Sequence, residues 1–514
     1  MYPRKFIRDS FGIALAQYVV RGTLMLRTLL AARLLGPLPL GAWNAIQLVL
    51  DNGSLLLLGS QQGLDQMVPP RVVAGDADAE RRVKRAALFN ILVLTGLYAL
   101  CCLVWIAVGR SKIRDAWGFA GMAVALACVV ATNLSNYQTS IQRSHGDLRT
   151  VRYWMLIQGA IGGLLGLALI PVLGLWGLLG GWAVGCVAAL VYTSVRSRRL
   201  APLSPAPAAE GLDLVQTGFP LYVYLSSSLM MRQLDRLIIL RFLGVEMLGY
   251  YGLAVMALAF MLYMPDAVTY VLYPRLQRDF AAAGGNPEAI REQVERVLRT
   301  YSILVPALGA LAFFLAGPAV QFLLPDFTPG VRAIRVLCFG AVGLAFGNLA
   351  SIVLMTVGRQ TLLMPGAVLS AVAGAGFDLL AVRLGHGIHG VAWATVTTYS
   401  VSGAMLLTMA LTGLALAPRR VLALLGQLFL PLAVAIALTL AVSQVVPWVG
   451  SSSLGLRAAR FAISAVSFTL LYLFAVRPLG RGLGLRRLLF ELNVPVVGPL
   501  LRRFGGADFQ RDNP

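Results

Sequence analysis

The chain reads as an all-α, polytopic integral membrane protein of about fourteen transmembrane helices. Three observations predict this class. Of 514 residues, 58% are hydrophobic and 13% charged, and the mean hydropathy is +0.76. A soluble chain of this length keeps more charge on its surface. Apolar runs of roughly 20–25 residues, the length that crosses a hydrocarbon core of about 30 Å, recur from end to end. The basic residues fall in short clusters between those runs, as membrane topology dictates. A net charge of +21 would otherwise suggest nucleic acid. The scatter of the clusters argues against that partner and for the lipid bilayer.

Orientation follows from the same clusters. With the N-terminus in the cytoplasm, 29 of the 43 Lys and Arg residues lie in cytoplasmic segments and seven at or near the outer surface. This bias places both termini in the cytoplasm and fits an even number of spans. The first apolar run continues to about Leu35, too far for a signal-peptide core, so it is read as a retained first span. Cys101, Cys102, Cys128, Cys186 and Cys338 sit inside apolar runs without C-x-x-C spacing. Neither a disulfide frame nor a metal site is implied.

The chain also resembles itself. RLLGPLPLG from Arg33 and RFLGVEMLG from Arg241 share a pattern at an offset of 208 residues. GLWGL from Gly174 and GIHGV from Gly387 match at an offset of 213, and Asn133-Leu134 and Asn348-Leu349 at 215. Ordered matches with similar offsets predict a duplication of six spans. Six spans return the chain to one side, so the repeats are parallel, which is a transporter plan with its site between the halves. The expected organisation is an N-lobe at 1–195, a Pro- and Ala-rich cytoplasmic linker at 196–213, a C-lobe at 214–413, two further helices at 414–478 and a basic cytoplasmic tail at 479–514. The charged segment 277–293 is expected to form a short surface helix.

Span one, around Leu24, carries Arg21, Arg27 and Arg33, each costing about 2.5–3.5 kcal/mol at the bilayer centre. At about 100° per residue, Gln17, Arg21, Arg27 and Thr28 share an arc of roughly 120°. Arg33 lies elsewhere, at the helix end, where it can snorkel to the interface; Arg241 repeats it. Span seven, around Leu229, places Tyr224, Ser228, Arg232, Asp235 and Arg236 on a similar arc. Under the 208 offset Asp235 matches Arg27 and Arg236 matches Thr28. Two readings are open: static ion pairs, such as Arg232 with Asp235, or two stripes lining a wet cavity that attracts anions. Arginine suits phosphate, because its planar fork donates two hydrogen bonds at once.

A gate is also legible. Arg27 and Asp235 each lie six residues inside the outer-end arginines, roughly 9 Å of helix rise. They are expected to pair when the outer side closes and to separate when it opens. Asp266, after Pro265, is either an ion or proton site or a polar support for a proline kink. Asn133 and Asn348 line the cavity or bond neighbouring helices. Asp51 and Asp378 are lone acids. Gly177, Gly181 and Gly185 signal close helix packing.

The runs LLAARLLGPLPLG, GLDQMVPPR from Gly63 and LGHGIHGVAWAT from Leu384 resemble the polysaccharide (O-antigen, Wzx-type) flippases of the multidrug/oligosaccharidyl-lipid/polysaccharide exporter superfamily. The resemblance covers most of spans one to twelve. It implies two six-helix lobes forming a V and alternating access. It implies transport of an undecaprenyl-pyrophosphate-type lipid-linked glycan across the bacterial inner membrane. Glycosyltransferases and a polysaccharide polymerase would be the partners. No cofactor is implied beyond an ion or proton to couple transport. A lipid II flippase is the closest alternative and a drug/cation antiporter the next. A membrane polymerase or ligase would need a sizeable outer loop and a catalytic set. The outer loops here are about ten residues or fewer, without such a set.

Overall fold

The structure, a computed structural model, describes residues 4–108, 112–196, 207–445 and 454–480. Most of the linker (197–206) and of the basic tail (481–514) lies outside the described residues. Every regular element among the described residues is helical. The order is α1 (Arg4–Leu35), α2 (Pro37–Leu55), α3 (Ser60–Ala74), α4 (Ala77–Val108), α5 (Lys112–Ser144), α6 (Leu148–Met155), a π turn (Leu156–Ile161), α7 (Gly162–Leu173) and α8 (Leu175–Arg196). It continues with α9 (Ala208–Met231), α10 (Leu234–Ile238), a second π turn (Ile239–Leu243), α11 (Val245–Ala282), α12 (Glu288–Leu323), α13 (Val331–Leu337), α14 (Gly340–Thr356), α15 (Leu363–Arg383), α16 (Gly387–Gly413), α17 (Pro418–Val445) and α18 (Leu454–Gly480).

Ten of the described helical segments are long and apolar enough to cross a membrane, and an eleventh results if Pro325–Leu337 and Gly340–Thr356, bent by 46°, form one span. The remaining expected spans are one, two and seven. They are helical too, as α1, α2 with α3, and α9 with α10. They also hold Arg21, Arg27, Asp51, Arg232, Asp235 and Arg236.

Two spans that look continuous in sequence are broken. The second stops at Leu55 and restarts at Ser60, with Leu58 at φ 46° and Gly59 at φ 91°. A helix end leaves carbonyls without intrahelical partners, and in lipid these must be satisfied internally. Asn133 on α5 does this. Its Nδ2 donates to the Gly53 carbonyl at 3.2 Å and to Thr95 Oγ1 at 3.0 Å, while Ser54 Oγ donates to its Oδ1 at 3.0 Å. Span seven breaks at Arg232–Gln233, between α9 and α10, and then relaxes into the π turn. One regular helical wheel therefore cannot place Tyr224 and Asp235 together, and the continuous arc read from the sequence ends at Arg232.

The segment 277–293 is not a separate surface helix. α11 runs on to Ala282 and α12 begins at Glu288, with a turn at Gly284 (φ 64°) and Gly285 (φ 84°). The charges extend the two long helices beyond their apolar runs.

Two compact units result. The first comprises Met1–Phe260, Ala319–Gly340 and Gln360–Ser402, the second Met261–Pro318, Ala341–Arg359 and Gly403–Pro514. In the first, α7 and α8 pack through glycines. A Cβ at Gly181 would overlap Gly166, and one at Gly185 would lie 2.9 Å from the Gln158 carbonyl. Leu57, Leu64, Val68, Tyr137, Ile141 and Leu214 form a buried cluster in the same unit. Asp65–Arg143 (3.0 Å), Glu80–His145 (3.1 Å), Glu80–Lys84 and Arg85–Glu210 (3.1 Å) sit at helix ends expected to be cytoplasmic. In the second unit Phe468 stacks on Tyr472 at 5.3 Å, and Tyr472 Oη donates to the Ile303 carbonyl at 2.9 Å.

The two repeat segments adopt the same unusual backbone. Gly36 has φ 80° and ψ −177°; Gly244, 208 residues later, has φ 104° and ψ 176°. That region is essentially reserved for glycine. Gly174 and Gly387, the second matched pair, have φ 55° and 57°. Gly36→Ala and Gly244→Ala should therefore each lower stability by about 1–3 kcal/mol, read as an earlier thermal transition of the detergent-purified protein. Gly22→Ala, where a Cβ meets nothing within 4 Å, is the neutral comparison. Unchanged melting of both loop variants would contradict the backbone reading.

Candidate functional site

Arg27 lies on α1 and is only 3% exposed. Its guanidinium carbon is 4.8 Å from the Trp43 ring on α2 and 5.3 Å from the Trp182 ring on α8. Gly163 on α7 also borders the side chain: a Cβ there would be in van der Waals contact with Arg27 Cδ, at 3.8 Å. Two indole faces thus hold the charge, and a desolvated cation–π contact is worth about 2 kcal/mol or more. Aromatic faces satisfy charge without using N–H donors. Arg27 Nη1 is buried and has no hydrogen-bond partner among the described residues. Gln17, Arg21 and Thr28 are half-buried, and Thr28 Oγ1 donates back to the Leu24 carbonyl at 2.8 Å.

Asp235, on α10 just past the break, is 2% exposed. The Arg236 backbone N–H donates to its Oδ1 at 2.7 Å, and Tyr251 Oη on α11 donates to its Oδ2 at 2.7 Å. Tyr251 Oη also meets Thr395 Oγ1 on α16 at 3.1 Å, and Thr395 Oγ1 reaches Asp378 Oδ1 on α15 at 3.5 Å. All four groups are buried, and the buried Tyr399 is close enough to feel the charge of both acids. The chain Asp235–Tyr251–Thr395–Asp378 has three links, and each link needs one proton. Tyr251 and Thr395 supply two. With both acids ionised, two protons serve three contacts, the longest of them the 3.5 Å approach of Thr395 to Asp378; a proton on one carboxyl would supply the third.

Arg236 connects this region to α2. Its Nη2 donates to the Arg232 carbonyl at 3.0 Å, and its charge acts on both Asp235 and Asp51. Tyr224, Ser228 and Arg232 are half-buried on α9 and at its end. No ion pair joins Arg27 to Asp235 among the described residues. Arg27 is held by tryptophans, and the contacts of Asp235 are with Tyr251 and a backbone amide. Arg33 and Arg241 are both exposed, and Arg241 lies 5.6 Å from the Phe242 ring.

Asp266 stands apart, in the second unit. Asn348 Nδ2 donates to its Oδ1 at 3.1 Å, and Tyr301 Oη donates to the neighbouring Pro265 carbonyl at 2.8 Å. Asn133 thus bonds the backbone at the end of α2, whereas Asn348 bonds an acid side chain on α11. Pro265 and Asp266 lie inside the continuous helix α11.

Sequence reasoning missed Trp43, Trp182, Tyr251 and Thr395, and left Asp51 and Asp378 without partners. Asp378 was findable as an acid in an apolar run. Tryptophans and tyrosines are too common in membrane helices to stand out before the fold brings them beside a charge.

Comparisons with known proteins agree with this architecture. A model of the family described as "Polysaccharide biosynthesis protein" matches residues 30–327, more than half of the chain. No curated protein sequence matches it. Among solved structures, the lipid II flippase MurJ in an inward closed conformation superposes with a TM-score of 0.69 at 12% identity, covering 91% of this chain and 99% of that one. An inward-facing multidrug resistance MATE family transporter of the MOP superfamily gives 0.61 at 16% identity, over 80% and 94%. A MOP superfamily transporter from Pyrococcus furiosus, with a binding pocket of reversed polarity, gives 0.55 at 18%, over 80% and 95%. The chain is a multi-pass membrane protein that belongs to the polysaccharide biosynthesis protein family and has the transporter and flippase fold of the MOP superfamily.

Proposed function

We propose that this protein flips an undecaprenyl-pyrophosphate-type lipid-linked oligosaccharide from the cytoplasmic to the periplasmic leaflet of the bacterial inner membrane, by alternating access, in polysaccharide biosynthesis. The observation that carries the reading is the set of arginines on α1 and at the break in span seven, inside a transporter fold. Each costs several kcal/mol in hydrocarbon, so a site that keeps them serves an anion. A pyrophosphate offers two tetrahedral groups of oxygens to such donors. Arg21, Arg232 and Arg236, with Gln17, Thr28, Tyr224 and Ser228, would face the cargo. Residues 1–195 and 214–413 would form the two lobes, joined by the linker at 196–213 and followed by two helices at 414–478. Both termini and the tail from 479 would be cytoplasmic. Glycosyltransferases would supply the cargo and a polymerase would consume it.

The proton shared along Asp235–Tyr251–Thr395–Asp378 supplies the coupling ion in this reading. Its loss or gain changes the charge of a cluster that joins α10, α11, α15 and α16. A lipid II flippase is the second reading, favoured by the overlay on MurJ. Both cargoes carry pyrophosphate, so a cargo assay separates them: glycan export should fail in cells lacking this protein while lipid II supply continues.

Three outcomes test the reading. Arg21→Ala and Arg232→Ala should abolish glycan export while the protein still inserts, and Arg33→Ala should do much less; equal export by all three removes the anion-binding role. In the gate reading, single reversals at Arg27 and Asp235 should each impair export, and the double swap Arg27→Asp with Asp235→Arg should recover part of the loss. A swap that restores nothing argues that Arg27 and Asp235 never pair. Tyr251→Phe should cut the proton movement that accompanies flipping in proteoliposomes by about tenfold, a loss of roughly 1.4 kcal/mol in rate terms. Thr397→Ala, which removes a hydroxyl bonded within α16, should leave it unchanged. Normal proton movement in Tyr251→Phe would sink the shared-proton account.

A further inference from the structure

The first turns of α2 and α11 meet backbone to backbone. A Cβ at Gly41 would overlap the Val245 carbonyl oxygen and lie 2.9 Å from Gly249 N. A Cβ at Gly249 would overlap the Pro37 carbonyl oxygen and lie 3.1 Å from Gly41 N. The partners are repeat mates: Pro37 and Val245 are 208 residues apart, as are Gly41 and Gly249. Each glycine rests against the carbonyl four residues before the other. That is the self-complementary contact of a two-fold interface, formed here within one chain.

The seam is dry. Leu40 and Leu248, also repeat mates, are both 0% exposed. Among the described residues, Asn44 Nδ2 donates across it to the Leu248 carbonyl at 3.4 Å. The repeat mate of Asn44 is Gly252, and a Cβ at Gly252 would overlap Asn44 Nδ2. Glycine there lets the asparagine fit. No ion pair crosses the seam among the described residues. It rests on close carbonyl contacts, each individually weak, and one long hydrogen bond. A contact built this way excludes water yet can part at low cost. Because its two sides are repeat mates, one movement of the halves would part both.

We propose that this glycine seam is the outer seal of the transport path: it closes the face bearing Arg33 and Arg241, and it must part before cargo can leave. The proposal rests on the alternating-access reading but not on the identity of the cargo.

The test uses the full-length protein with its five native cysteines replaced by alanine. In the pair Asn44→Cys with Gly252→Cys, the Gly252 Cβ would fall 3.0 Å from the present Asn44 Cγ, so the two Cβ atoms lie in disulfide range. Oxidation should cross-link the pair and stop glycan export, and reduction should restore it. In parallel, Thr28→Cys is labelled from outside with a membrane-impermeant maleimide. Gly41→Leu and Gly249→Leu should each speed that labelling by about tenfold, by shifting the population toward an open state. Gly96→Leu, into open space, should not. The proposal is overturned if no cross-link forms, if export persists through the cross-link, or if both leucine variants label at the parental rate. Cross-linking and labelling are read without any cargo. If the parent protein exports no glycan, the cargo assignment fails while the labelling still decides the seal.

Discussion

Charge inside hydrocarbon has to be compensated within the protein, and the described contacts follow from that requirement. Arg27 is surrounded by two indole faces. Asp235 accepts from a phenol and a backbone amide. Asp266 accepts from an asparagine. The compensations differ in kind, and the difference matters for function. An acid held by hydroxyl groups can share a proton along them. An arginine held by rings has its charge met without its N–H donors being used, and Arg27 Nη1 has no hydrogen-bond partner among the described residues.

The irregular backbone sits next to these charges. The second span breaks before Gly59, and the seventh breaks at Arg232 and relaxes into a π turn before Gly244. Broken helices at membrane depth survive where side chains take up the freed backbone groups. Asn133 does so beside the first break, and the Arg236 guanidinium reaches the Arg232 carbonyl at the second. A straight span would bury its charges against one neighbour. A break lets Asp235 turn toward Tyr251 while Tyr224 and Ser228 remain half-buried on α9.

Duplication supplies the frame, and divergence supplies the chemistry. Gly36 and Gly244 share a backbone conformation that other residues avoid, and Gly41 and Gly249 close against the Val245 and Pro37 carbonyls. At the equivalent positions 27 and 235, however, one repeat carries a cation in an aromatic cage and the other an acid on a hydroxyl chain. The two repeats therefore share a backbone frame and differ in the chemistry they carry at equivalent positions.

Membrane class, the helical elements and the repeat were legible in the sequence because they rest on local properties. Apolar run length is counted residue by residue, and glycines that need positive φ keep their spacing when a segment is duplicated. The polar residues of spans one and seven were legible for the same reason: a charge in an apolar run is visible without a fold. Their surroundings were not. The arc drawn for span seven assumed one regular helix, and the break at Arg232, imposed by packing, ended it. Tyr251 on α11 lies more than a hundred residues before Asp378 and Thr395, which sit on the successive helices α15 and α16, and Trp43 and Trp182 come from two more helices. Burial, hydrogen-bond partners and the meeting of Gly41 with Gly249 depend on which helices lie side by side, and only the tertiary structure decides that.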